Sequence, residues 1–112
     1  MPDQRANRGP NADVVPALDD YTQRVLFGEV WERPGLSKRD RSLITVAALV
    51  ATYRTNELPF HVNFALANGV TRDELAEVIT HLAFYAGWPT ANTAAGIVRQ
   101  VLDAQKRQET VP

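Results

Sequence analysis

The stretch TRDELAEVITHLAFYAGWP, residues 71–89, leaves less freedom than any other in this chain of 112 residues. Thr71 followed three positions later by Glu74 is a capping box, and Val70 and Leu75 stand where a hydrophobic staple closes over a helix start. Leu75, Val78, Ile79, Leu82 and Ala86 then recur at the spacing of one helix face. Gly87 and Pro89 end the run. A helix with one apolar face needs other elements to cover it. No other stretch alternates polar and apolar residues as a half-buried strand does. The partners are therefore helices, and the expected fold class is all-α, a compact bundle of five to six.

The remaining helices read less sharply. The first spans about Asp13 to Val30, with Leu18, Tyr21, Thr22 and Val25 as its buried stripe. At roughly 100° per residue Glu29 falls on the same stripe, and a carboxylate facing a core needs a partner or a function. WERPGL is an extended link, because Arg33 precedes Pro34. Ser37 caps the second helix, whose run LITVAALVA is apolar nearly all round and marks it as the central core helix. Asn56 caps the third, Pro59 fits its first turn, and Gly69 supplies a left-handed stop. The fifth runs from about Pro89 to Gln105. Residues 1–12 and 106–112 read as disordered tails around a single domain at 13–105. Phe60, Phe64, Phe84, Trp31 and Trp88 fall outside the predicted core. They are candidates for contacts between subunits, unless the helices simply have wide apolar faces.

A hydrophobic fraction of 45% with 22% charged residues belongs to an ordinary globular protein, and a net charge of −1 supplies no basic field for nucleic acid or membrane. With no cysteine, disulfides, thiol redox chemistry and cysteine-based zinc sites are excluded. The two histidines lack metal-ligand spacing, so no metal is expected. The opening MPDQRANRGPNA has no apolar core of the signal-peptide kind, and the apolar run from Leu43 to Ala51 is too short to span a bilayer, so a cytoplasmic protein is expected. No phosphate loop, nucleophile elbow or dinucleotide fingerprint occurs.

What remains for chemistry is a small set. On the third helix Leu58, Val62, Ala65 and Leu66 form the core stripe, and Glu57, His61, Phe64 and Asn68 a neighbouring face. His61 thus sits at the rim of the core. It is either a partly buried imidazole whose pKa is set by Glu57, or half of an ordinary surface pair with it. His81 has Glu77 one turn before it and Tyr85 one turn after, on the flank of its helix, facing a pocket or solvent. Arg33 and Arg41 flank the entry to the second helix. Arginine can clamp a carboxylate bidentately, although surface arginines are common.

The segments GEVWERPGLSKRDRSLITVAAL and FHVNFALANGVTRDELAEVITHLAFYAGWP, with Asn92 soon after, resemble the carboxymuconolactone decarboxylase family over about residues 21–102. The wider superfamily includes alkylhydroperoxidase D-like proteins with a C-x-x-C-x-x-x-H redox motif and a preceding glutamate. Those positions fall here on Arg54, Glu57, His61 and Ser42. Without thiolates a peroxidase is excluded.

The resemblance implies a ring of subunits, commonly a hexamer made of three dimers. It also implies a cofactor-free reaction in aromatic-compound breakdown: a carboxylated lactone such as 4-carboxymuconolactone loses carbon dioxide to give an enol-lactone. On that reading His61 is the acid or electrostatic donor, with Glu57 or Glu29 orienting it. Arg33 and Arg41 hold substrate carboxylates, His81 and Tyr85 line the pocket, and Trp31 forms an apolar wall. Asn63 stands where a basic residue is expected in the family, which bears on the acid that is bound. An isomerase, cyclase or lyase step in natural-product biosynthesis would use the same pocket, and a non-catalytic ligand-binding oligomer is the reading from another class.

Overall fold

The computed structural model describes residues 9–110, and every regular element among them is helical. Residues 1–8 and 111–112 of the two expected tails lie outside the described residues. The chain forms two compact units that divide after Lys38.

In the first unit, residues 9–12 are not a tail. They form a turn closed by Ala12 N–H on the Gly9 carbonyl, and Gly9 N–H donates to the Asp19 carboxylate at 2.7 Å. Helix α1, Pro16–Tyr21, begins on a proline, which already lacks the amide that a first turn cannot use. It runs directly into a π-helix, Thr22–Val30. The expected buried stripe is absent: Leu18 is 62% and Tyr21 57% exposed, and neither helical segment buries a residue. Leu18 and Tyr21 both lie in α1, ahead of the π-helix; from Thr22 onward the wider i→i+5 winding also turns Val25 and Glu29 off the α-helical wheel on which they were aligned. Glu29 is exposed rather than core-facing and needs no buried partner. Trp31, expected outside the core, is buried and stacks on Phe27 at 6.0 Å between ring centres.

The second unit is built from α2 (Lys38–Ala51), α3 (Leu58–Ala67), α4 (Arg72–Ala86) and α5 (Trp88–Thr110). Its centre is α3, where Val62 and Ala65 are wholly inaccessible and Leu58 nearly so. Leu58 and Val62 each contribute about 1.5–3 kcal/mol by leaving water. Helix α2 is not the all-round buried helix its composition promised. It turns Val46 and Val50 inward and leaves Ile44 55% exposed. The core is completed by Leu75 and Ile79 of α4 and by Ala91, Ala94, Val98 and Val101 of α5.

The helix ends explain how α3 is held. Helix α2 closes with Tyr53 in the left-handed region at φ 59°, its N–H on Val50 and the Arg54 N–H on Leu49. That is a Schellman turn with a tyrosine in the position glycine usually takes. Asn56 does not cap α3. Glu57 holds the cap position without a side-chain bond, and the amides of Glu57 and Leu58 are taken by the Arg54 carbonyl. At the far end Gly69 adopts φ 98°, as expected of a left-handed stop. Asn68 Nδ2 donates to the buried Ser42 Oγ at 3.0 Å, tying the end of α3 to the start of α2.

The capping box of α4 is present in both directions: Glu74 N–H donates to Thr71 Oγ1 at 3.1 Å, and Thr71 N–H to Glu74 Oε1 at 2.9 Å. The second Glu74 oxygen pairs with the Arg39 guanidinium of α2. Helix α5 continues beyond the expected end at Gln105, so residues 106–110 are helix and not tail. There Gln105 Nε2 donates to Asn63 Oδ1 of α3 at 2.8 Å.

Candidate functional site

Helix α3 presents a second face beside its buried stripe, and that face carries an aromatic group of three. The His61 ring lies 5.0 Å from Phe60, edge on, and 6.3 Å from Phe64, and the two phenylalanines stack at 5.8 Å. His61 is half-buried, with Nδ1 sealed from solvent, so any chemistry at this ring passes through its other edge. Burial holds its pKa below the ordinary histidine value of 6.5, because a desolvated imidazole resists charging. A controlling carboxylate would have moved it the other way. The sequence-based reading that Glu57 sets this pKa is therefore corrected: Glu57 is exposed at the helix cap, and burial dominates. Burial thus favours the uncharged form of the ring.

Two turns along the same face, about 10 Å of axial rise, Asn68 meets Ser42. Arg41 neighbours Ser42 in α2 and is half-buried, its Nε shielded from solvent. Asn63 offers less to a ligand than its sequence position promised. Its carbonyl accepts from Gln105 and its amide donates to the Pro59 carbonyl at 3.3 Å.

His81 and Tyr85 belong to a separate place. A groove of about 490 Å³ runs between α2 and α4, walled by Leu43, Ile44, Ala47, Val78 and Leu82, with Glu77 and His81 on its α4 side. The His81 and Tyr85 rings lie 4.8 Å apart. Beyond them Phe84 and Trp88 meet edge to face at 5.5 Å. His61 does not line this groove. The α2 wall was missed in the sequence because an apolar run does not disclose which of its sides is left uncovered. Glu29, Trp31 and Arg33 lie in the first unit, with Glu29 and Arg33 exposed. Among the described residues no three histidine, aspartate or glutamate side chains converge as a metal centre requires, and no helix is long and apolar enough to cross a membrane.

Residues 16–100 match the carboxymuconolactone decarboxylase family. The chain belongs to that family. Within it, the chain is 45% identical over 84 residues to 4-carboxymuconolactone decarboxylase of Acinetobacter baylyi, covering 75% of this chain and 63% of that protein. It is 35% identical over 77 residues to nitrosuccinic acid decarboxylase of Metarhizium robertsii, covering 69% and 54%. An uncharacterised 15.0 kDa protein of Paracoccus denitrificans is 31% identical over 90 residues. The chain thus spans less than two thirds of either decarboxylase. The carboxymuconolactone decarboxylase match includes α2, α3 and α4 entirely, and with them His61, Arg41, His81 and Tyr85.

Proposed function

We propose that this chain is a cofactor-free carboxy-lyase whose substrate carries its departing carboxylate on a carbon conjugated to an oxygen-bearing electron sink. The two relatives named for decarboxylases support this reading, and their substrates share one chemical logic. In 4-carboxymuconolactone the electrons of the breaking carbon–carbon bond pass through the ring alkene into the lactone carbonyl. In nitrosuccinic acid they pass into the nitro group. Carbon dioxide leaves, negative charge gathers on oxygen, and a proton from solvent then adds to carbon.

Such a reaction requires a donor at the oxygen where charge develops, and one such donor is worth about 10²–10³-fold in rate. The observation that carries the proposal is the half-buried His61 ring packed against Phe60 and Phe64, where burial favours its uncharged form. An uncharged imidazole can donate to a forming enolate, as neutral histidines do in isomerases, without gripping the departing carboxylate as a cation would. Arg41 is assigned to the carboxylate that stays on the substrate. Glu57 is assigned to orienting the approach to His61.

The reading includes a ring of identical subunits. It is supported by the exposure of Phe84 at 74%, Tyr85 at 79% and Trp88 at 58% in the single chain. Light scattering should return a multiple of 12.4 kDa, and a monomer at assay concentration would remove that part.

The deciding experiment is incubation of the purified protein with 4-carboxymuconolactone and, separately, nitrosuccinate, following products by NMR and released carbon dioxide by mass spectrometry. Turnover of either supports the carboxy-lyase. Release from neither by a folded protein rejects it. His61→Ala should lower turnover at least about a hundredfold with unchanged circular dichroism, and undiminished activity would remove His61 from the mechanism.

A further inference from the structure

The end of α3 carries a chemistry that the carboxy-lyase reading does not use. Of the six asparagines in the chain, only Asn68 is followed by glycine. In such a pair the glycine nitrogen can attack the asparagine side-chain carbonyl, because no Cβ on the second residue hinders the approach. The new bond joins the Gly69 nitrogen to Asn68 Cγ and closes a succinimide ring. The Gly69 amide proton passes to base, and the side-chain nitrogen leaves as ammonia. Water then opens the ring at either carbonyl. One opening leaves aspartate, and the other leaves isoaspartate, with the backbone routed through the former side chain. No oxidant or reductant is required.

The folded chain restrains this reaction in its backbone, its amide and its side chain. Ring closure requires the Gly69 nitrogen to swing towards Asn68 Cβ, whereas ψ 8° at Asn68 eclipses it with that residue's own nitrogen. The Gly69 N–H, whose proton must be given up, donates to the Leu66 carbonyl at 3.2 Å. The side-chain amide, which must rotate, is anchored through Nδ2 on the buried Ser42 Oγ at 3.0 Å. These restraints sit at a helix end with Gly69 exposed, and helix ends open more readily than a core does. We propose that Asn68–Gly69 is a self-modification site that deamidates when the end of α3 parts from α2, with the Ser42 bond as its restraint. The change alters the fold locally. Neither carboxylate product can donate to Ser42, and the new charge stands at a helix C-terminus, where the dipole disfavours an anion. The α2–α3 junction beside Arg41 then no longer closes as it did.

The test needs no substrate, so it stands apart from the fate of the proposed lyase. Full-length wild type and Ser42→Ala are incubated at mildly alkaline pH, each both folded and unfolded in urea. Peptide mapping by mass spectrometry counts the conversion at Asn68, and chromatography separates aspartate from isoaspartate. Folded wild type should convert at least about tenfold more slowly than the unfolded chain. Folded Ser42→Ala should convert about two- to tenfold faster than folded wild type, the range of one hydrogen bond. Hydrogen exchange at the Gly69 amide should accelerate in parallel, since exchange and attack both begin with loss of that proton. In urea the two chains should convert at one rate, which separates restraint from intrinsic reactivity. The folded-to-unfolded comparison of wild type decides even if Ser42→Ala fails to fold. Equal rates in folded and unfolded wild type, a folded Ser42→Ala no faster than wild type, or an unfolded chain that spares Asn68 would each overturn the proposal.

Discussion

Removing the Glu74 carboxylate tests whether one side chain fastens two helices. Glu74→Ala deletes the acceptor of the Thr71 N–H, a cap worth about 1 kcal/mol. It deletes a negative charge in the first turn of α4, worth about 0.3–1 kcal/mol. It also deletes the pair with Arg39, whose two side chains are 38% and 37% exposed, so that solvent screening holds its value to about 0.2–1 kcal/mol. The expected loss is about 1.5–3 kcal/mol, a large share of a typical domain's 5–15 kcal/mol. Glu74→Gln keeps an acceptor at the cap and should lose only about half of that. Urea unfolding of wild type, both variants, Arg39→Ala and the Arg39→Ala/Glu74→Ala double variant forms a complete cycle. The Arg39 coupling should shrink in about 1 M salt, where the Debye length falls to about 3 Å. A Glu74→Ala cost below about 0.5 kcal/mol, or strictly additive effects of Glu74 and Arg39, would refute the double role.

The lowered pKa of His61 has a signed consequence. The unfolded chain binds a proton at this residue more tightly than the folded one, so stability is complete above pH 6.5 and falls as pH drops from there toward the depressed folded value. His61→Gln should flatten that part of the stability curve measured by urea unfolding, and an unchanged slope would contradict the burial of the ring. Leu75, wholly inaccessible in the core, should cost about 2–5 kcal/mol as Leu75→Ala. A loss below 1 kcal/mol in thermal unfolding would show that α4 is not seated as described.

Where the fold was legible, the information was local. The cap of α4 and the stop at Gly69 depend on residues within one turn of each other, and both are present as read. Burial on one side of α3 followed from the wheel, as did the half-buried position of His61. The failures lie where the answer depended on something distant or on a changed period. The stripe from Leu18 to Val25 was read on one α-helical wheel, whereas the segment passes into a π-helix at Thr22, ahead of Val25 and Glu29. The apolar run of α2 indicated burial but not its side, and Ile44 is left facing out. Asn56 lost the cap of α3 to the turn around Arg54, a preference that depends on how α2 ends. The direction of the His61 pKa could not be read from Glu57, one turn away, because desolvation is set by everything packed around the ring.

The helix that bears His61 has only ten residues. Isolated helices of that length are marginal in water, so α3 exists through the packing around it. The imidazole is therefore a native-state indicator already present in the molecule. Its ring proton resonances, followed across pH, would show a depressed midpoint in every intact copy and an ordinary one in any copy whose core has opened. Partial damage by heat, proteolysis or truncation could thus be counted by NMR in a mixture, with no added label and no knowledge of the substrate.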